Sequence, residues 1–216
     1  MTDFFEMKRP RGRPEGTGLG RVTRTLSREE LKRFFSAATK AGRKFDLMFS
    51  LIFHFALRAG ECARIRLDNF KVENRGEGNL LTLTIRALKG GDDNKPEVPE
   101  WIERKLKAWL KERNGVEGNP FLFPHRLNTR SAHMTTEAIN AAFRMVARRA
   151  GIEGRHSCHD LRHSRATELA FAGWPTVKIA SWLRHRNPSS SDRYVHTVEM
   201  ERLSHLLAAS PEEFLK

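Results

Sequence analysis

The chain has 216 residues, 39% of them hydrophobic and 30% charged, which is enough to bury the core of one sizeable globular domain. Its formal net charge of +13 favours a polyanionic partner, with nucleic acid the leading class and an anionic membrane surface the alternative. No apolar stretch approaches the ~20 residues of a membrane span, no signal-peptide pattern is present, and the two cysteines, Cys62 and Cys158, are typical of a reduced cytoplasmic protein.

Residues 1–24 form a polar, basic segment without helical periodicity, which predicts a flexible arm. Lys8, Arg9, Arg11 and Arg13 belong to a stretch that resembles the AT-hook, a peptide that lays an Arg-Gly-Arg core into a narrow minor groove. Such grooves concentrate negative potential and attract arginine side chains. Short basic motifs are common by chance, so a generic basic tail is the competing interpretation.

Ordered structure is predicted to begin at Ser27, because Ser27-x-x-Glu30 is a capping box followed by apolar residues at helical spacing. The same periodicity predicts further helices over residues 45–57, 61–66, 100–113, 135–150, 160–172 and 175–184, and a terminal pair after residue 190. The apolar stripe of the last helix, residues 197–209, fits packing within its own subunit or against a neighbouring one.

One region between the helices has the alternating pattern of a strand. Leu81, Leu83 and Ile85 alternate with polar residues, and a turn at 90–94 leads to a return strand beginning at Glu97-Val98. Residues 25–216 are therefore predicted to form a single, mainly helical α+β domain that contains one small antiparallel β-sheet.

A set of basic and imidazole side chains precedes the only tyrosine of the chain. In order, they are Arg58, Lys89, His159, Arg162, His185 and Tyr194. His185 lies 23 positions after Arg162, and Tyr194 lies nine positions after His185. Taken singly, Tyr194 is more typical of a packing residue and Lys89 of a solvated turn. Their joint order and spacing favours a catalytic set.

This set resembles the tyrosine recombinase (phage integrase) family, whose catalytic domain orders Arg, Lys, His-x-x-Arg, His or Trp, and Tyr along the chain. The resemblance covers about residues 27–209. It implies the recombinase catalytic-domain fold and a cytoplasmic bacterial or archaeal enzyme that acts on double-stranded DNA. It further implies a 3′-phosphotyrosyl intermediate, with integration, excision, inversion or resolution of a mobile element as the outcome. The scheme requires no metal or other cofactor.

The chemistry of phosphodiester attack agrees with these residue types. Charge builds on two non-bridging oxygens, and planar arginines such as Arg58 and Arg162 bind such oxygens in pairs. A phenol of pKa ~10 needs a cationic site to ionise, which suits Tyr194 as nucleophile. The leaving 5′-oxygen needs a proton, for which Lys89 is the matching general acid and Lys95 the alternative.

The resemblance also assigns the remaining side chains. His159 is expected to orient the phosphate or to act as the general base for the tyrosine. His185 is expected to donate to a non-bridging oxygen, and Glu61 to hold Arg58 in place.

The chain departs from the family pattern at two glycines and in its length. Ala56 and Arg184 stand where members commonly carry glycine, which predicts a shifted backbone beside two catalytic groups. Only about 26 residues precede the predicted domain, where typical members carry a helical core-binding domain. We therefore expect a short, catalytic-domain-only recombinase that assembles as a homotetramer on DNA, with the arm or an accessory DNA-bending or core-binding protein closing the clamp.

Three other functions compete with recombination. His159 and His163 have the spacing of a zinc-binding helix, although an arginine lies between them and no third ligand is obvious. A topoisomerase-like enzyme would nick and rejoin DNA by the same chemistry without exchanging strands. A catalytically silent DNA-binding protein would keep the fold alone. The complete catalytic set favours the recombinase.

Overall fold

The computed structural model describes residues 24–74, 79–86, 93–113, 118–125, 132–185, 187–196 and 198–199. Within these ranges the chain is rich in helix, with one two-stranded antiparallel sheet. The elements are α1 (Arg28–Ala41), α2 (Arg43–His54), α3 (Ala59–Ala63), β1 (Phe70–Asn74), β2 (Asn79–Leu83), α4 (Glu100–Arg113), α5 (Thr136–Arg149), α6 (Cys158–Phe171) and α7 (Thr176–Trp182). Short 3₁₀ helices cover Leu67–Asn69 and Pro188–Ser191, and residues 192–196 are helical. The predicted fold class is confirmed.

The main core lies where α1, α2 and α5 meet. Phe34, Phe49 and Phe143 each lie in one of these helices, are fully buried, and pack edge to face or tilted with ring centroids 4.8–6.0 Å apart. The predicted capping box begins α1, since the Ser27 hydroxyl accepts from the backbone of Glu30 at 3.2 Å and the Glu30 carboxylate accepts from Ser27 N–H at 2.8 Å. The helices predicted over 100–113, 135–150, 160–172 and 175–184 correspond to α4, α5, α6 and α7.

The small sheet contains the predicted strand and one that was not predicted. β1 pairs with β2 so that Phe70 lies opposite Leu83. The return segment contributes only isolated bridges, Thr82 with Glu97 and Ile85 with Asn94. Residues 90–92 of the predicted turn, and the last helix from residue 200 onward, lie outside the described residues.

Helices α2 and α7 both end in Schellman motifs, and their C-terminal ends lie close to each other. α2 stops at His54, three residues before the predicted end, because Ala56 has φ 48° and Leu57 N–H returns to the Ile52 carbonyl at 2.9 Å. α7 ends in the same way at Trp182, because Arg184 has φ 52° and His185 N–H returns to the Ala180 carbonyl at 2.9 Å. The early end of α2 lets α3 begin at Ala59, before the predicted residue 61.

A second buried cluster fixes the segment after α7. Tyr194 and Val198 pack there against Leu169 of α6 and against Ile179 and Leu183 at α7. This packing brings the far end of the described chain against α6, so residues distant in sequence share one site. No helix in the described ranges is long and apolar enough to cross a membrane.

Candidate active site

The side chain of Tyr194 is buried, and its hydroxyl contacts the imidazole of a histidine. It is 2% exposed, and its Oη lies 2.5 Å from Nδ1 of His163. Burial raises the pKa of Tyr194, while the positive charges of Arg162 and Arg193 act in the opposite direction. Burial with a bonded hydroxyl is also what a packing tyrosine shows, so the surrounding groups decide what this phenol can do.

Helix α6 supplies three of those groups. His159, Arg162 and His163 occupy positions i, i+3 and i+4 and therefore lie on one face. The helix begins at a capping box in which the Ser157 hydroxyl accepts from His159 N–H at 3.3 Å and the Asp160 carboxylate accepts from Ser157 N–H at 3.1 Å. His159 is exposed, and its ring packs edge to face on that of His163, 4.4 Å away.

The Arg162 guanidinium is held between two helix C-termini. It is 1% exposed and donates from Nη1 to the carbonyl of Ala56, after α2, and from Nη2 to the carbonyl of Leu183, after α7. Carbonyl groups at helix ends carry partial negative charge and stabilise a buried cation. Arg162 is thereby fixed in place, and within the described residues these bonds use two of its five N–H groups.

The carboxylate of Glu61 ties three arginines together. Its side chain is 1% exposed, and it accepts from Arg58 Nη1 at 2.7 Å and from Arg184 Nη2 at 2.9 Å, with Arg162 Nη1 at 4.0 Å. It also accepts from the backbone N–H of Arg58 at 2.8 Å. Burial alone would raise the pKa of Glu61, but the charge of Arg184 and these hydrogen bonds outweigh it and leave the pKa lowered.

The two residues that replace glycine keep a left-handed backbone. Ala56 and Arg184 have φ of 48° and 52°, the region that favours glycine, so the expected shift away from that conformation does not occur. The Arg184 side chain turns inward. Its guanidinium donates to the carbonyls of Phe55 at 3.1 Å, Trp182 at 3.0 Å and Ala56 at 2.9 Å, besides its bond to Glu61.

His185 follows directly after the left-handed turn of α7. Its Nδ1 lies 2.8 Å from the hydroxyl of Ser191, a fully buried residue in the 3₁₀ helix Pro188–Ser191. Burial and the nearby charges of Arg162 and Arg58 lower the pKa of His185 to about 4, so its imidazole is neutral at pH 7.

The site as a whole carries an excess of positive charge. Burial and the charges of Arg58 and Arg184 lower the pKa of Arg162 to about 9, and partial desolvation of the ring and the charge of Arg162 also lower the pKa of His159. Arg162 remains charged at neutral pH while His159 and His185 remain neutral. A bound phosphate would relieve this mutual repulsion, so the arrangement suits an anionic ligand.

Several sequence-predicted residues lie outside the described residues. They are Lys89, the arm residues Lys8, Arg9, Arg11 and Arg13, and the last helix from residue 200 onward. Lys95, the alternative lysine, is described and exposed. The structure thus brings together Arg58, Glu61, His159, Arg162, His185 and Tyr194.

The spacing of a zinc-binding helix does not lead to an assembled ligand set. The Nδ1 atom of His163 already contacts the Tyr194 hydroxyl. Among the described residues, no three His, Cys, Asp or Glu side chains converge as metal ligands.

Sequence reasoning missed the part played by two side chains. The sequence predicted His163 only as a zinc ligand. Its position was nevertheless a signal, because His163 lies four residues after His159 and next to Arg162, and residues i and i+4 of a helix lie on the same face. For Arg184, the sequence predicted only the effect of replacing a glycine that is common in the family. The burial of Arg184 in the Glu61 network has no local sequence signal, because Glu61, Phe55 and Ala56 lie more than 120 positions away.

The sequence profile of the Phage integrase family matches residues 24–201. Tyrosine recombinase XerA of Thermococcus kodakarensis is 27% identical over 179 residues, which cover 82% of this chain and 60% of that protein. Tyrosine recombinase XerC of Oceanobacillus iheyensis is 24% identical over 183 residues, covering 81% of this chain and 57% of that protein. The chain therefore spans about 60% of the length of these relatives.

Solved structures share the fold. The XerH site-specific recombinase bound to a palindromic difH substrate, in a post-cleavage complex, has a TM-score of 0.72 at 23% identity, over 87% of this chain and 53% of that one. The XerA recombinase has a TM-score of 0.68 at 23% identity, over 86% of this chain and 66% of that one.

Proposed function

Because the chain belongs to the phage integrase family, we propose that it is a site-specific DNA recombinase that cleaves and rejoins strands through a 3′-phosphotyrosyl link to Tyr194. One observation carries this proposal: the only phenol of the chain is packed against a cluster of charged arginines and neutral histidines with an excess of positive charge. Such a cluster matches the negative charge that develops on a phosphodiester during attack.

The arginines bind and polarise the phosphate in this scheme. Arg58 is partly exposed and anchored by Glu61, so its remaining N–H groups reach a ligand from the solvent side. Arg162 presents its remaining N–H groups from the buried side. Two planar donors at fixed positions stabilise the two non-bridging oxygens better than mobile lysines would.

The histidines supply directed hydrogen bonds. With the Ser191 hydroxyl donating to Nδ1 of His185, the proton of this imidazole resides on Nε2, which donates to a non-bridging oxygen. His159, exposed beside Arg162, orients the phosphate from the other side.

The leaving 5′-oxygen takes its proton from Lys89, with Lys95 as the alternative donor. The phosphotyrosyl bond conserves the energy of the broken phosphodiester, so the 5′-hydroxyl of a partner strand can reverse the reaction. Exchange of strands then proceeds through a Holliday junction. None of these steps calls for a metal ion or a nucleotide.

Residues 25–216 form the catalytic domain in this proposal, and residues 1–24 the DNA-binding arm that contains Lys8, Arg9, Arg11 and Arg13. The active assembly is a homotetramer on double-stranded DNA in the cytoplasm, aided by an accessory DNA-bending or core-binding protein. The excess of positive charge over the whole chain, +13, supports a polyanionic partner.

Covalent capture from a random pool of DNA tests the function and selects the cognate site at the same time. Full-length protein is incubated with randomised duplexes carrying a nick, so that the short 5′-hydroxyl fragment diffuses away and traps the adduct. We expect detergent-resistant adducts enriched in one sequence, absent with Tyr194→Phe. Wild type that yields no more adduct than Tyr194→Phe would refute the proposal.

Removal of residues 1–23 tests the arm, because Arg24 Nη1 is already bonded to the Arg155 carbonyl at 2.7 Å. We expect weaker duplex binding and a smaller slope of log affinity against log salt, by about 0.9 for each lost phosphate contact. The measurement is a salt titration of fluorescence anisotropy. Unchanged affinity and slope would contradict a DNA-binding role of the arm.

A further inference from the structure

We propose that His163 is the catalytic base that takes the Tyr194 proton as the phenol attacks the scissile phosphate, a role that rests on the proposed recombinase function. The family resemblance had offered His159 either for this step or for orienting the phosphate. Within the described part of the chain, Nδ1 of His163, at 2.5 Å, is the only hydrogen-bond partner of the Tyr194 hydroxyl.

Burial sets the direction of this hydrogen bond. A phenol that is 2% exposed cannot donate its proton to water, and leaving it unpaired would be costly. The Tyr194 O–H therefore donates to Nδ1, and His163 carries its own proton on Nε2. In this tautomer Nδ1 offers a lone pair to the proton that must leave.

His159 is placed for a different task. It is exposed, and within the described residues its imidazole makes no hydrogen bond. Its ring packs edge to face on His163, 4.4 Å between centroids, and so limits the movement of that ring. This leaves His159 free to meet the phosphate while His163 holds the nucleophile.

DNA binding is expected to change the electrostatic environment that sets the pKa of His163. Burial, followed by the neighbouring His159, Arg162, Arg193 and His185, lowers the pKa of His163 to about 3, so the imidazole is neutral and able to accept a proton. A phosphodiester anion seated on the arginines opposes the positive charges of Arg162 and Arg193 and makes Nδ1 more basic. Bound substrate is therefore expected to raise the pKa of His163 and so favour uptake of the Tyr194 proton.

The proposed step conserves atoms and electrons. Nδ1 takes the proton as the Tyr194 O–H bond breaks, the phenolic oxygen bonds to phosphorus, and the P–O5′ bond breaks. The 5′-oxygen receives its proton from the general acid, for which Lys89 is proposed. In the reverse reaction the His163 imidazolium returns its proton to the tyrosine.

His163→Asn tests this role, because Asn Oδ1 occupies the place of Nδ1 and accepts the hydrogen bond but takes up no proton near neutral pH. The probe is a nicked duplex of the captured sequence. We expect adduct formation to slow by on the order of 10²–10⁴-fold at pH 7, and the deficit to shrink as pH rises and hydroxide replaces the base. His133→Asn is the control, since the His133 Nδ1 bonds the backbone carbonyl of Met134, at 2.7 Å, and its rate should match wild type.

A second duplex, with sulfur replacing the bridging 5′-oxygen, separates the two proton transfers. A thiolate leaves without a proton, so this duplex should rescue Lys89→Ala but not His163→Asn. An Asn variant that cleaves like wild type, or that sulfur rescues, would overturn the inference while leaving the recombinase intact. Wild type without any adduct would instead refute the recombinase function, and the base with it.

A DNA-free measurement guards against a variant that fails to fold. Nitrogen NMR of ¹⁵N-histidine protein reports which ring nitrogen of His163 carries the proton. We expect protonated Nε2 and unprotonated Nδ1 at pH 7. The opposite tautomer would overturn the proposal, because Nδ1 would then already be occupied.

Discussion

Arg184 shows how one side chain can offset a backbone cost. An L-residue in the left-handed region loses roughly 1–2 kcal/mol relative to glycine. α5 and α6 are followed by Gly151 and Gly173, which adopt this conformation freely, whereas α7 is followed by Arg184 at φ 52°. The buried bonds of its guanidinium, to Glu61 and to backbone carbonyls, offset that cost.

Two substitutions separate the side chain from the backbone. Arg184→Gly removes the bonds and relieves the strained φ, whereas Arg184→Ala removes the bonds and keeps the strain. We expect both variants to be less stable than wild type, with Arg184→Ala below Arg184→Gly by about 1 kcal/mol. Urea unfolding measures the difference, and an alanine variant as stable as the glycine variant would show that the backbone is not strained there.

At the scale of elements, α6 carries His159, Arg162 and His163, and its first turn is held by a cap. The Ser157 hydroxyl bonds the backbone N–H of His159 itself. α5 has a comparable cap, in which the Thr135 hydroxyl accepts from Ala138 N–H at 3.1 Å, and the first turn of α5 carries none of the proposed catalytic residues. The two caps form a matched pair in one molecule.

We expect Ser157→Ala and Thr135→Ala each to reduce the free energy of unfolding by about 1 kcal/mol. Only Ser157→Ala should slow adduct formation, because only its loss frees the turn that holds His159. Urea unfolding and adduct rates are measured on the same preparations. Equal slowing in both variants would mean that stability alone, and not the position of His159, controls the rate.

Local patterns predicted the elements better than they predicted the contacts. Ser27 and Glu30 predict the start of α1, because a capping box is encoded within four consecutive residues. The sequence did not predict β1, because its alternation of apolar and polar residues lasts only five residues. The strand is also weakly buried, since its apolar residue Val72 is 65% exposed. The end of α2 was placed too late because Ala56 at a left-handed position carries no glycine signal.

The site was predicted as a set of residues but not as a geometry. Order and spacing identified Arg58, Arg162 and Tyr194 together, since the family pattern is a property of the sequence. The pairing of Tyr194 with His163 depends on how the segment after α7 packs on α6, which is decided by contacts between distant residues. No periodicity within the sequence encodes that contact.

At the scale of the whole molecule, buried neutral histidines link stability to pH. The pKa values of His54, His163 and His185 are lowered from 6.5 to about 4, 3 and 4, with burial the largest cause in each case. As pH falls below 6.5, the unfolded chain binds protons that the folded chain excludes. Stability is therefore complete above about pH 6.5 and is lost as pH falls toward 4.

We expect the urea midpoint to decline between about pH 6.5 and 5, before most carboxylates titrate. His54→Gln should flatten this decline, because His54 contributes to it and lies outside the proposed reacting centre. His125→Gln is the control, since His125 is exposed and should leave the slope unchanged. A midpoint that stays constant or rises over this range would contradict the burial of neutral imidazoles.

Tyr194 is proposed to bond covalently to a 3′-phosphate of DNA, and the mass of one peptide tests this bond most directly. Because Arg193 precedes the tyrosine, tryptic digestion of the captured adduct releases residues 194–202 with Tyr194 at the amino terminus. We predict that this peptide carries the nucleotide mass and that the released strand has a 5′-hydroxyl, which a kinase labels without phosphatase treatment. An unmodified peptide 194–202 from wild-type adduct, or a strand with a 5′-phosphate, would contradict the account.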